Sequence, residues 1–168
     1  MTPSIDLRIA SMVRAMKDVI APAIDPANSL AREQSALMIG QLHMISAQWR
    51  LVSRYASVCL ADMQRVVAGL AIAGGARTTA AGDRLTQVLA EPASDTEAQY
   101  QDAARALEGL VRAADEDGTD AFRQQLRREA LQFSIRQAER DRVWFAMSGF
   151  DMDADQLPSI EQILDAAQ

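Results

Sequence analysis

Residues 29–73 read SLAREQSALMIGQLHMISAQWRLVSRYASVCLADMQRVVAGLAIA, a long stretch without a proline. Within it Met38, Leu42, Ile45, Trp49, Val52, Ala56, Cys59, Met63, Val66, Leu70 and Ala73 are spaced alternately by four and three. A 3.5-residue repeat sustained this long is the pattern of a left-handed, coiled-coil-like seam, in which apolar knobs from one helix enter holes in another. Read as one helix, the stretch would span roughly 65–70 Å at 1.5 Å per residue. That exceeds the width of a compact domain of this size, so the helix must protrude, bend or be gripped by another subunit. Gly40 and Gly69 are the expected weak points, because neither has a side chain to stiffen the helix.

A second apolar stripe runs along the same stretch. Leu30, Leu37, Met44, Leu51 and Val58 recur every seven residues, offset from the first series, with Gln41, Gln48, Tyr55 and Asp62 between the two. Two apolar stripes need two partners. Either the helix is central in a bundle, or the second stripe is a subunit interface. Exposed apolar patches of that length are costly to solubility, so the five residues are the expected interface of a homodimer.

Working outward, the same helical period recurs. Thr2 and Pro3 can start a helix carrying Ile5, Ile9, Met12, Val13, Met16 and Ile20 on one face, ending near Pro22, before a turn at Asp25–Asn28. Gly74-Gly75 is expected to stop the long helix. A shorter helix with Leu85, Val88 and Leu89 should end at Pro92, and Ser94 with Glu97 has capping-box spacing for the next one. That helix carries Tyr100, Leu107 and Leu110 up to a turn at residues 115–118. Thr119 or Asp120 then caps a second long helix, with Phe122, Leu126, Phe133, Val143, Trp144 and Met147 on its main stripe, reaching about Phe150. A short helix follows Pro158. The expected fold is all-α: a single domain over residues 1–168, built as an antiparallel up-down helical bundle around two long central helices with coiled-coil-like packing.

Composition narrows the chemistry. The chain has 168 residues and a net charge of −6, with one His (His43) and one Cys (Cys59). An intramolecular disulfide is excluded, as are zinc-finger ligand sets. A negative protein repels phosphate backbones, so no nucleic-acid partner is expected. No run of about eighteen apolar residues is present, so no membrane partner is expected, and a cytoplasmic setting is. Abundant Ala and Arg with a single Lys suggests a GC-rich bacterial gene. There is no nucleophile elbow, phosphate-binding glycine loop, dinucleotide fingerprint or Glu-x-x-His pair. Asp151, Asp153 and Asp155 alternate, but no glycine follows at the sixth position and Pro158 interrupts the loop, so no calcium is assigned. No catalytic residue, metal or cofactor is expected. Cys59 occupies a seam position, where a cysteine acts as a small buried hydrophobe.

The most irregular feature is a polar interruption in the second long helix. At 100° per residue, Glu129, Arg136, Gln137 and Arg140 project into the sector of Phe122, Leu126, Phe133 and Trp144. Inward-facing arginines must be paired, because a buried unpaired charge costs several kcal/mol. Glu33 or Asp62 could supply the partner carboxylate, with Gln41, Gln48 and Tyr55 as neighbours. The layer then fixes helix register. In the other reading, Arg136 and Arg140 receive an anion in a pocket bordered by Glu129, Gln137, Tyr55, Trp49 and Trp144. These alternatives give two functions: a noncatalytic helical oligomerisation or protein-interaction module, or a small-ligand binder holding an amphipathic anion in the bundle interior.

Overall fold

The computed structural model describes residues 3–91, 94–148 and 151–166. Thr2, Pro92 and Phe150, expected at helix ends, lie outside these. The described chain is all-helical, without a strand. Helix α1 (Ile5–Ala15) continues through a π-helical turn (Met16–Ile20) into Ala21–Ala23, followed by α2 (Ser29–Gln48), α3 (Val52–Ala68), α4 (Ala76–Ala90), α5 (Thr96–Asp117), α6 (Asp120–Trp144) and α7 (Ile160–Ala166). Short 3-10 turns cover Ala146–Ser148 and Ala154–Gln156. The helices gather into two compact units: Met1–Leu51 with Trp144–Leu157, and Val52–Val143 with Pro158–Gln168.

In the first unit Ser4 caps α1, its Oγ accepting from Leu7 N at 3.3 Å. The π turn has a local cause. Pro22 has no N–H to give and its ring would strike the carbonyl four residues back, so the preceding turn widens, with Ala21 N bonding Met16 O. Asp25 then closes the reversal by accepting from Ala27 N at 2.9 Å, and Asn28 caps α2 by accepting from Ala31 N at 3.0 Å. Trp49 Nε1 donates to Asp6 Oδ1 at 3.0 Å, and Arg50 pairs with the same carboxylate. These bonds bring the first turn of α1 to the end of α2, so the two helices run in opposite directions.

The long helix expected over residues 29–73 is in fact two. It breaks at Trp49–Leu51, where Leu51 N bonds Gln48 O at 2.7 Å in a tightened turn, and no glycine lies there. Tertiary bonding of Trp49 and Arg50 to Asp6, with Arg50 stacked over the Trp49 ring at 4.9 Å, accompanies the break. Gly40 sits undisturbed inside α2, whereas α3 does end at Gly69. Gly74-Gly75 belongs to the next element: Gly75 is the N-cap of α4.

The second unit holds the core. Leu60, Met63 and Val66 of α3, Leu85 of α4, Leu107 and Leu110 of α5, and Phe122, Leu126 and Phe133 of α6 form one buried cluster. Ala103, Ala106 and Ala114 lie in the same cluster, small side chains on α5, the helix packed against α3 and α4. Caps form as local chemistry requires: Asp95, one residue past the expected Ser94, accepts from Glu97 N and Ala98 N. Thr119 Oγ1 accepts from Phe122 N, and Ser159 and Gln162 form a reciprocal capping box on α7. The loop before α4 is clasped to the end of α5, with Gly75 N bonding Asp117 O at 2.8 Å and Thr119 N bonding Ala73 O at 3.0 Å.

Candidate functional site

The polar interruption of α6 lies in the second unit, against one face of α3. Residues 136, 137, 140 and 141 fall on one side of α6, and 55, 59 and 62 are spaced four and three along α3, so two helical faces confront each other. Asp62, only 3% exposed, is the centre. Its Oδ2 accepts from Arg136 Nε at 3.1 Å and from Arg140 Nη2 at 2.7 Å, and its Oδ1 accepts from Arg136 Nη2 at 3.0 Å. Arg65 stands 3.7 Å away on the same helix.

A second cluster adjoins it. Gln137 Nε2 donates to Tyr55 OH at 3.0 Å and to Asp141 Oδ1 at 2.9 Å, while its Oε1 accepts from Arg140 Nη2 at 3.1 Å. Tyr55 OH also donates to Asp141. Arg136 and Arg140 thus share the Asp62 carboxylate, Asp141 is held by Tyr55 and Gln137, and Gln137 bridges the two clusters.

Electrostatics follow this arrangement. Burial opposes ionisation of Asp62, but the hydrogen bonds from Arg136 and Arg140 outweigh it, and the carboxyl lies below the ordinary range. Burial also works against the Arg140 cation, and its bond to Asp62 overrides this, so the proton is held more tightly than in a free arginine. Tyr55 is pushed far up by burial and by the Asp141 hydrogen bond. Burial raises Tyr100 to about 12 and raises the Cys59 thiol as well. Each of these groups keeps its resting charge near neutral pH. A general base or activated nucleophile would require the reverse tuning.

Of the residues singled out in the sequence, Arg136, Arg140, Gln137 and Tyr55 come together, and Asp62 rather than the exposed Glu33 supplies the carboxylate. Glu129 instead pairs with neighbouring Arg128 at 3.3 Å. Trp49 and Trp144 belong to the first unit, where Trp49 bonds Asp6 and the Trp144 carbonyl accepts from Gln48. The stripe over Leu30, Leu37, Met44, Leu51 and Val58 is divided by the helix break. Leu30 and Leu37 are 65% and 49% exposed, Leu51 is half-buried, and Met44 and Val58 are buried. Asp141 was not anticipated, although its position four residues after Gln137 was a usable signal.

The described residues contain no group of three His, Cys, Asp or Glu that could hold a metal ion, and no described helix is long and apolar enough to cross a membrane. No protein-family model, curated protein or solved structure matches this chain.

Proposed function

We propose that the protein is a noncatalytic helical interaction module, a bundle with coiled-coil-like seams that assembles through apolar surface on its first unit. One observation carries this reading. Every large apolar side chain that is exposed among the described residues lies in the first unit, except Leu131 and Ile135. Among the described residues, the buried apolar side chains are distributed in the opposite way, with only Ile9, Met44 and Trp144 in the first unit. A surface of this kind marks a contact with another protein. A free thiol at Cys59 suits a reducing compartment, and the reading takes the cytoplasm as the setting. The layer at Asp62 speaks against an anion receptor, because Arg136 and Arg140 both direct hydrogen bonds to a protein carboxylate that would compete with a ligand for them. Native mass spectrometry of the protein from its own host tests this. A protein assembly without a retained small molecule is expected, and a monomer carrying a retained acidic ligand would overturn the reading.

A further inference from the structure

The chain's only lysine, Lys17, and its only histidine, His43, line the same groove. It lies within the first unit, between α2 and the helix formed by α1 and its π turn, and has a volume of about 400 Å³, in the range of small-molecule sites. Ile9, Ala10 and Val13 supply its apolar lining, and Arg14, Lys17, His43 and Ser46 its donors. Asp18 is the one carboxylate on it among the described residues.

The donors are not used by the protein. Among the described residues, none of these four side chains has a hydrogen-bond or ion-pair partner. Exposed arginines elsewhere in the chain do find carboxylates: Arg105, Arg112 and Arg123 each pair with one a turn earlier in sequence. Arg14 has Asp18 a turn later, which is the weaker order for a helical pair, and the π turn that begins at Met16 widens the step between them. The guanidinium is thereby left open.

The antiparallel packing makes the donors converge. With Asp6 opposite Trp49, His43 stands across from about residue 12. Helical side chains lean toward the N-terminus of their own helix, so Arg14 and Lys17 lean back toward His43, and His43 leans from the opposite wall toward them.

We propose that this groove binds a small organic phosphate monoester, its phosphoryl group received by Arg14, Lys17 and a ring N–H of His43, its carbon skeleton laid on Ile9, Ala10 and Val13. A single guanidinium fork satisfies both oxygens of a carboxylate, whereas three donors from two walls match the three oxygens of a phosphoryl group. Arg14 and Lys17 outweigh Asp18, so the local charge attracts an anion although the whole chain carries −6. The groove is open to solvent, so the ester exchanges freely and is released on dilution. Occupancy needs no second protein, and the site is separate from the proposed assembly role.

The single histidine reports on the site directly. In the untagged full-length chain, at fixed pH and ionic strength, the His43 ring-proton resonances should shift saturably with phenyl phosphate, with a Kd on the order of 1 mM. Inorganic phosphate, without an apolar part, and benzoate, without a third oxygen, should each bind at least about 10-fold more weakly. Arg14 and Lys17 are exposed and unpartnered, so R14Q/K17Q should keep the parent's circular dichroism and Tm while losing roughly 10-fold or more in affinity. R84Q, which removes an exposed arginine from α4, should bind as the parent does. The absence of a saturable shift up to about 20 mM phenyl phosphate would overturn the proposal. So would equal affinity in R14Q/K17Q and the parent, or inorganic phosphate as effective as the ester. Co-sedimentation with vesicles of phosphatidic acid in phosphatidylcholine, without a response to phenyl phosphate, would overturn it in favour of a lipid headgroup.

Discussion

Asp62 of α3 holds Arg136 of α6 by two parallel hydrogen bonds, Nε to Oδ2 at 3.1 Å and Nη2 to Oδ1 at 3.0 Å. That fork leaves Oδ2 to accept Arg140 as well, so one buried carboxylate ties two turns of α6 to α3. The pairing favours one register of the two helices, since a slide of one turn would carry one arginine to the other's place and leave Asp62 with a single partner.

Removing single members should therefore be unequal. Arg140, with a side chain only 10% exposed, is expected to cost roughly 3–5 kcal/mol on replacement by Met, because Asp62 then sits in the core with half its compensation. Arg136 is 41% exposed, and R136M should cost about 1 kcal/mol after solvent screening. The triple variant D62L/R136M/R140M should recover most of the loss in urea unfolding, and phosphate or a fatty acid should leave the parent's Tm unchanged. An R140M protein as stable as its parent would contradict the structural role.

The Asp117 clasp gives a pH dependence of definite sign. Its carboxylate accepts from the Thr78 hydroxyl at 2.5 Å and from the Arg77 and Thr78 amides at 2.9 Å, filling the N-terminus of α4. The Thr78 hydroxyl, followed by the two amides, holds its pKa below the ordinary value of 3.8. A carboxyl with a lower pKa folded than unfolded stabilises the fold above the unfolded pKa, and that stability is lost as pH falls through the folded value. The Tm should therefore decline below about pH 4, and D117N should show a lower Tm at pH 7 with a shallower acid decline. Asp62 acts in the same direction, so the decline should not vanish in D117N.

How much of this was legible follows from range. Helices and caps are local, so the Thr119 cap could be read directly, and Asp95 displaced Ser94 by one residue. Arg136 and Arg140 announced a need for a carboxylate by interrupting an apolar stripe, and Asp62 was one of two candidates. The break at Trp49–Leu51 could not be read, because the Asp6 contacts come from 43 and 44 residues away. The place of Gly74-Gly75 at the start of α4 is hidden for the same reason: the backbone it bonds to is at residues 117–119, beyond any local window.

Two glycines should respond to alanine with opposite signs. A Cβ at Gly74 would fall 2.7 Å from Thr78 Cβ and 2.8 Å from Gly118 Cα, the second being backbone that cannot rotate away. G74A should destabilise by roughly 1–3 kcal/mol. Gly40 lies inside α2 with nothing within 4 Å of the added carbon, and G40A should stabilise by about 0.5–1 kcal/mol through helix propensity. Urea midpoints of the two variants against the parent decide both signs.

The apolar stripe of α2 should divide in the same manner. Leu37 and Met44 are one heptad apart and occupy the same sector, yet Leu37 is 49% exposed while Met44 is 8% exposed. Neighbouring cover explains the difference, for α2 contacts the Ala146–Ser148 turn, and the Gln48 side chain, four residues beyond Met44, donates to the Trp144 carbonyl. A carboxylate at position 37 can remain hydrated, so L37E should change the free energy of unfolding by no more than about 0.5 kcal/mol. At position 44 it would be desolvated without a partner, and M44E should lose roughly 2–5 kcal/mol. Equal losses in both variants would mean that Leu37 is covered in solution, and the stripe would then act as a single contact surface along its length.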